Sequence, residues 1–460
     1  MRPTDTEHDI AVIGGGPAGY VAALRAAQLG AQTLLIERER VGGTCLNVGC
    51  VPTKTLLFNA KVYRYLGRLG ELGLNADSFS YDFGLIQKRK EHVVNKFVRG
   101  VEYLLKKRGV EVIHGEATMD VKRRLTVRSH HGEMSLSAHK ILIATGSSPA
   151  RLSLPGAEHT IDSSGALSLE QPPRHLLIVG GGAIGVEFAV IFSSFGSEVT
   201  IVELMESIIP GEDREITMVL SRALKKQGIT IHTSSKVARI DSQNGRLRSL
   251  IHSPSGEKEI LADKVLLSVG RVPNTGSCEE LSLAQKGGFI DVNEKMETSS
   301  PGVYAAGDVC GKWLLAYTAS KEGEVAVSNA LGIADRMDYT AVPRLIYSHP
   351  EVGAVGLTEE EAQKEHDIVV GRFPMIGNAR AYAELESEGL VKVIADKKDE
   401  RILGITVLGP YATELVLSAT IFLAQRMNLK QAQSVIYGHP VFSECIREAI
   451  LDAQGKPLHK

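Results

Sequence analysis

Two cysteines stand five positions apart, Cys45 and Cys50, in the segment GGTCLNVGCVPTK spanning 42–54. Far along the chain His439 and Glu444 are likewise five apart, in YGHPVFSECIREA (437–449). A close cysteine pair in a chain of 460 residues with an odd total of five cysteines points to redox or metal chemistry, not to a structural disulfide framework. Thiolate is the reactive form of such a pair, so a base or a cation nearby would matter. Lys54 lies four residues after Cys50, on the same face if the segment is helical, where a buried ammonium would lower a thiol pKa; a solvated surface lysine is the plain alternative. His439 precedes Pro440 and is held extended, while Ser443 onward reads as a helix. Glu444, near that helix start, can bind one imidazole nitrogen and leave the other as a base; a helix-capping histidine is the alternative. His349 also precedes a proline but lacks the spaced acid, and reads as structural. Cys278, Cys310 and Cys445 are scattered and read as small buried hydrophobes.

Positioning these groups demands particular elements. On an ideal helix, residues five apart have Cα atoms about 8 Å apart, whereas a disulfide needs less than about 7 Å. An oxidised Cys45–Cys50 pair therefore calls for a distorted helix start, for which Gly42, Gly43, Gly49 and Pro52 supply freedom and a break. The segment directly follows DIAVIGGGPAGYVAALRAAQLGAQTLLIE (9–37), and a second stretch, HLLIVGGGAIGVEFAVIFSSFGSEVTIVE (175–203), repeats its pattern. Each copy is an apolar strand, a glycine turn, a helix and a second strand ending in an acid. The glycines are Gly14, Gly16 and Gly19, then Gly180, Gly182 and Gly185. Their spacing suits a tight turn, close approach to a pyrophosphate and close helix–strand packing, with the pyrophosphate at the helix N-terminus. Glu37 and Glu203 lie where a carboxylate accepts ribose hydroxyls. After Glu203 come Leu204, Met205 and Glu206, which would repel a 2′-phosphate, so the second site is expected to prefer NAD(H).

These units set the expected architecture: α/β, with two Rossmann-like dinucleotide-binding domains and a C-terminal α+β interface domain. The strand 140–149 carries Thr145 and Gly146 and closes the first domain (1–149). The second spans 150–270 and ends near Gly270. The segment 271–342 returns to the first domain and presents Asp308 at the end of PGVYAAGDV (301–309), followed by a helix over 314–331. In the last domain (343–460) strands are expected in VGAVGLTEEEA, LVKVIAD and RILGITVLG, with helices at 358–365, 411–425 and 443–453. The net charge of −2 offers no basic footprint for nucleic acid or an acidic membrane. The longest apolar runs are too short and interrupted to span a bilayer. The polar, acidic Met1–His8 leaves no room for a targeting segment, and the chain reads as cytoplasmic.

The motif GGTCLNVGCVPTK, with both dinucleotide motifs, the ATG strand, the GDV segment and the C-terminal His-Pro, resembles the class I flavoprotein pyridine nucleotide–disulfide oxidoreductases, above all the branch that oxidises dihydrolipoamide. The resemblance covers essentially the whole chain. It implies FAD in the first site and NAD in the second, with the adenosine ribose on Glu37 and the ribityl chain on Asp308. It implies that Cys45 exchanges with substrate sulfur while Cys50 sits by the flavin and forms the charge-transfer thiolate. Lys54 would approach flavin N5 and pair with Glu187 near the nicotinamide. His439 and Glu444 would form the catalytic dyad, contributed across a two-fold homodimer. The lipoyl partner, on a 2-oxo acid dehydrogenase complex or a glycine cleavage carrier protein, would come from another chain.

Several positions depart from the family pattern: VPTK for IPSK, Gly438 for alanine, Tyr317 for histidine, and Cys445 beside Glu444. A related flavin reductase acting on another disulfide or a metal is the alternative. A glutathione-type reductase would need cations for NADP, and a mercuric reductase a second C-terminal cysteine pair; neither is present. An idle flavoprotein serving as an assembly subunit would not need Cys45, Cys50, His439 and Glu444 together.

Overall fold

The computed structural model describes residues 8–130 and 132–460; most of the acidic lead expected at Met1–His8 lies outside them. In chain order the elements that matter begin with β1 (His8–Ile13), α1 (Pro17–Gln28), β2 (Thr33–Glu37), α2 (Gly43–Val48), α3 (Cys50–Leu66), α4 (Phe83–Lys107), β3 (Glu111–His114) and β4 (Ala138–Ile143). Next come β5 (His175–Val179), α5 (Ala183–Ser194), β6 (Glu198–Val202), β7 (Thr230–His232) and β8 (Lys264–Leu267). Then follow β9 (Val303–Ala305), α6 (Ala316–Ala330), β10 (Arg344–Ile346), β11 (Glu351–Gly356), β12 (Ile368–Pro374), β13 (Leu390–Asp396) and β14 (Ile402–Gly409). The chain closes with α7 (Ala412–Ala424) and α8 (Glu444–Ala453).

The described residues form two compact units. The first takes residues up to 56, 82–150 and 270–338; the second takes 57–81, 151–269 and 339–460. In the first, a five-stranded parallel sheet runs β9–β4–β1–β2–β3. A parallel sheet is covered on both faces, which explains the unbroken apolar runs: Ile10, Ala11, Val12, Leu34 and Leu35 are fully buried. Strand order changes direction at β1, so the loop after it, which holds Gly14 to Gly16, opens at the switch point where ligands of such sheets bind.

The second unit repeats the device with the parallel sheet β7–β6–β5–β8, reversing at β5. It also contains an antiparallel sheet, β10–β11–β14–β13–β12, packed against α7 and α8 around Val391, Val393, Ile405 and Val407. The helix expected over 314–331 spans Ala316–Ala330, and those at 411–425 and 443–453 span Ala412–Ala424 and Glu444–Ala453. The one expected at 358–365 contracts to Glu359–Ala362, because a Thr358–Glu361 capping box secures one turn beyond which the helix does not extend. Two three-stranded antiparallel sheets, within 116–136 and 236–262, carry half-polar strands that the sequence reading passed over. Among the described residues no helix is long and apolar enough to cross a membrane.

Candidate functional site

In the first unit the glycine turn is built for contact. Gly14 adopts φ +102°, and a side chain there would strike the Ala144 carbonyl. A Cβ on Gly19 would strike the carbonyl of Gly14, so α1 touches the turn directly. Pro17 opens α1, and Gly16 caps it without a side-chain hydrogen bond, leaving the early N–H groups to an outside anion. The Glu37 carboxylate is buried and accepts the N–H of Gly15 at 2.6 Å and of Glu39 at 2.7 Å. It fastens the turn to the end of β2.

The thiol pair is seated on that turn. Gly42 donates its N–H to the Gly15 carbonyl at 2.7 Å, and a Cβ on Gly43 would come within 2.6 Å of Gly16 Cα. Cys45 lies in α2 and Cys50 opens α3; between them the helix breaks at Gly49 (φ −142°, ψ −112°). This is the distortion the spacing demands. Cys45 is half-buried and Cys50 exposed. The Cys45 thiol is pushed well up, first by its hydrogen bond to Cys50 and then by burial, while the Lys54 ammonium pulls it down. Lys54 therefore stands within electrostatic reach of the pair. So does Tyr20 on α1, whose hydroxyl is raised by burial and then by Cys45; sequence reasoning missed it.

Asp308 follows β9 in a short turn. Its Oδ2 accepts a hydrogen bond from Ser147 Oγ and lies 3.6 Å from Arg271 Nε. Arg271 also donates to Ser147 Oγ and to the Ser147 carbonyl, both at 2.6 Å. Thr145 Oγ1 donates to the Asn274 carbonyl at 2.6 Å, and Gly146 (φ +69°) accepts the Asn274 N–H at 3.0 Å. Gly270 (φ +113°) accepts the N–H of Ala150 at 3.0 Å. Ser147, Arg271 and Asn274 were not singled out from the sequence, although RVPN directly after a returning strand was the signal for two of them.

The second unit reproduces the first turn closely. Gly180 has φ +104°, Gly182 caps α5 without a side-chain bond, and Gly185 leaves α5 against the Gly180 carbonyl. Buried Glu203 accepts the N–H of Gly181 at 2.6 Å and of Met205 at 2.7 Å. Glu187, buried on α5, accepts the Tyr347 N–H at 3.1 Å. Both turns therefore fit a dinucleotide, with uncapped helix starts, no side chain in the way, and a carboxylate at the end of the second strand.

Also in the second unit, His439 Nδ1 lies 2.8 Å from Glu444 Oε1, while Glu444 Oε2 accepts the Val441 N–H at 2.9 Å. Burial pushes the Glu444 carboxyl up, but the Val441 N–H and the His439 ring outweigh it and hold it below its ordinary value. The imidazole is 74% exposed, so with Nδ1 engaged its Nε2 is open to a proton donor. His349, by contrast, is held among Arg64, Lys61 and Arg68 and is depressed to about 3, chiefly by burial. Cys445 is fully buried with Sγ 3.6 Å from Met375 Sδ, and burial raises its thiol to about 12. It is packing.

Comparison with known proteins adds a matching family at each end. The pyridine nucleotide-disulphide oxidoreductase family matches residues 8–323, and its dimerisation domain matches 342–450. A dihydrolipoyl dehydrogenase of Thermus scotoductus is 41% identical, covering 98% of both chains. One from Bacillus subtilis is 38% identical over 98% of this chain and 99% of its own. Among solved structures, the HOCl-induced flavoprotein disulfide reductase RclA of Escherichia coli, as a Cu(II) complex, superposes with a TM-score of 0.87 at 30% identity, covering 97% of this chain and 99% of its own. LpdA of Mycobacterium tuberculosis gives 0.88 at 26% identity, covering 96% and 98%.

Proposed function

The chain belongs to the pyridine nucleotide-disulphide oxidoreductase family, and from that premise we propose that it oxidises protein-bound dihydrolipoamide to lipoamide while NAD+ is reduced to NADH. The observation that carries the reading is the Cys45–Cys50 pair seated on the first dinucleotide turn through Gly42 and Gly43. FAD and NAD(H) are the cofactors of the family. FAD, when bound, supplies the two-electron acceptor between the thiol pair and the nicotinamide. Gly14, Gly16, Gly19, Glu37, Lys54, Thr145, Gly146 and Asp308 would hold it. Gly180, Gly182, Gly185, Glu203 and Gly270 would hold NAD, with Glu187 toward its nicotinamide. The domains would be the four divided at 149, 270 and 342, working in the cytoplasm as a homodimer on a separate lipoyl-bearing chain; the matched dimerisation domain supports the dimer.

The residues divide the sulfur chemistry between them. His439, its Nδ1 held by Glu444, takes a proton at Nε2 from one substrate thiol. The thiolate attacks Sγ of Cys45 in the oxidised pair, the Cys45–Cys50 bond breaks, and Cys50 leaves with the electron pair. The second substrate sulfur displaces Cys45, closing the cyclic disulfide and leaving a dithiol; the substrate loses two electrons and the pair gains them. Cys50 would be the sulfur that ionises in the reduced pair, in keeping with a Cys45 thiol raised by its contact with Cys50.

Adding dihydrolipoamide and NAD+ to the holoenzyme should produce NADH. The likeness to RclA supports a second reading, reduction of another disulfide or a metal ion at the same pair. Failure to form NADH from dihydrolipoamide, with NADH consumed by such an acceptor instead, would establish that second reading.

A further inference from the structure

On α6 the side chain of Glu322 is fully buried, and its Oε2 accepts the N–H of Gly307 at 2.7 Å. Gly307 adopts φ +82° and immediately precedes Asp308. A side chain at Gly307 would come within 3.1 Å of the Ala18 methyl and 3.3 Å of the Ala319 methyl, so its peptide is wedged between α1 and α6. One residue after Glu322, a Cβ on Gly323 would strike the Ala18 carbonyl. The Glu-Gly pair thus does two jobs at one place: glycine lets α6 lie against the first turn of α1, and glutamate reaches from that contact to the peptide ahead of Asp308. Burying a carboxylate is costly unless it is hydrogen-bonded, and the Gly307 N–H is one of the groups that satisfy Glu322.

We propose that Glu322 is a positioning residue for the flavin cofactor: it fixes the Gly307 peptide and so aims the Asp308 carboxylate, which Ser147 and Arg271 hold from the other side. This rests on the reading that Asp308 contacts the cofactor. Glu322 itself touches no reacting atom. Its part is to present Asp308 in one orientation before the cofactor arrives, so that binding does not have to order the turn.

The test is the dissociation constant of FAD, read from flavin fluorescence during titration of the apoprotein. Four variants are compared with the unmodified chain: Glu322→Ala, Glu322→Gln, Asp308→Asn, and the Asp308→Asn/Glu322→Ala double. Losing the acceptor of a buried N–H should weaken FAD by roughly 5- to 150-fold in Glu322→Ala. Glu322→Gln keeps an oxygen for the same N–H and should stay within about threefold. In the Asp308→Asn background, Glu322→Ala should add less than about threefold, because the group it aims is already altered. An undiminished second loss in the double variant would overturn the proposal and leave the Asp308 reading intact. Unchanged affinity in Asp308→Asn would overturn that reading and the proposal with it. Should Glu322→Ala fail to fold, Glu322→Gln decides alone: a loss well beyond threefold would mean that charge, not the Gly307 bond, is what matters.

Discussion

His349 and His439 each precede a proline, yet the protein uses the two imidazoles in opposite ways. His439 is exposed and bound to a carboxylate at 2.8 Å; His349 is half-buried beside three cations, with the Glu386 carboxylate farther off at 3.7 Å. The ordinary pKa near 6.5 falls to about 3 in the fold, so between these values the unfolded chain binds a proton that the folded chain refuses. The His349 contribution to stability is intact above pH 6.5 and is lost as pH falls toward 3, by up to about 1.4 kcal/mol per pH unit. Replacing His349 with Gln should flatten that acid slope in urea unfolding measured at several pH values; an unchanged slope would refute the assignment. The two sulfurs differ in a similar way. Cys45→Ser holoenzyme should retain a long-wavelength thiolate-to-flavin absorption band, and Cys50→Ser should lack it. The opposite pattern would mean that their roles are exchanged.

At the scale of elements, what the sequence revealed was periodicity and glycine spacing. The two strand–turn–helix–strand copies are plain because buried parallel strands are apolar throughout and because Gly19 and Gly185 sit where a helix must touch a carbonyl. The broken helix between Cys45 and Cys50 could be inferred from the mismatch between helical spacing and disulfide reach. What stayed hidden was held by long-range bonds: Arg271 on Ser147 and Glu322 on Gly307 join positions whose proximity no local pattern encodes. The two small antiparallel sheets were passed over, although strands such as Glu116–Met119 bury alternate residues, the period of a half-exposed strand. The close approach at Gly185 makes a prediction specific to one element. Gly185→Ala should push α5 away from its turn and raise KM for NAD+ at least tenfold, about 1.4 kcal/mol. FAD should stay bound, since its turn is separate. Loss of the yellow colour, or an unchanged KM, would contradict this.

For the molecule as a whole, the family's dimerisation domain spans 342–450 and so contains His439 and Glu444. If active sites are shared between subunits, Cys45→Ser and His439→Gln chains, each inactive alone, should recover roughly half the unmodified turnover in verified heterodimers. One site then carries both lesions and the other none. Persistent inactivity would show that each site is built within one chain. His439→Gln alone should lower lipoamide turnover by about 10²–10⁴-fold and leave NADH-to-dye activity largely unchanged. The paired fastenings of Glu37 to Gly15 and Glu203 to Gly181 have a consequence for redesign. Coenzyme preference is usually altered by exchanging the acid at the end of the second strand, as though it served the ribose alone. Here the same carboxylate is also the buckle of the loop. Glu203→Ala would release two backbone N–H groups along with the ribose, and the variant would become less selective chiefly by becoming worse with NAD. A conversion to NADP that keeps its efficiency would need a new acceptor for Gly181 and Met205 before any cation is introduced.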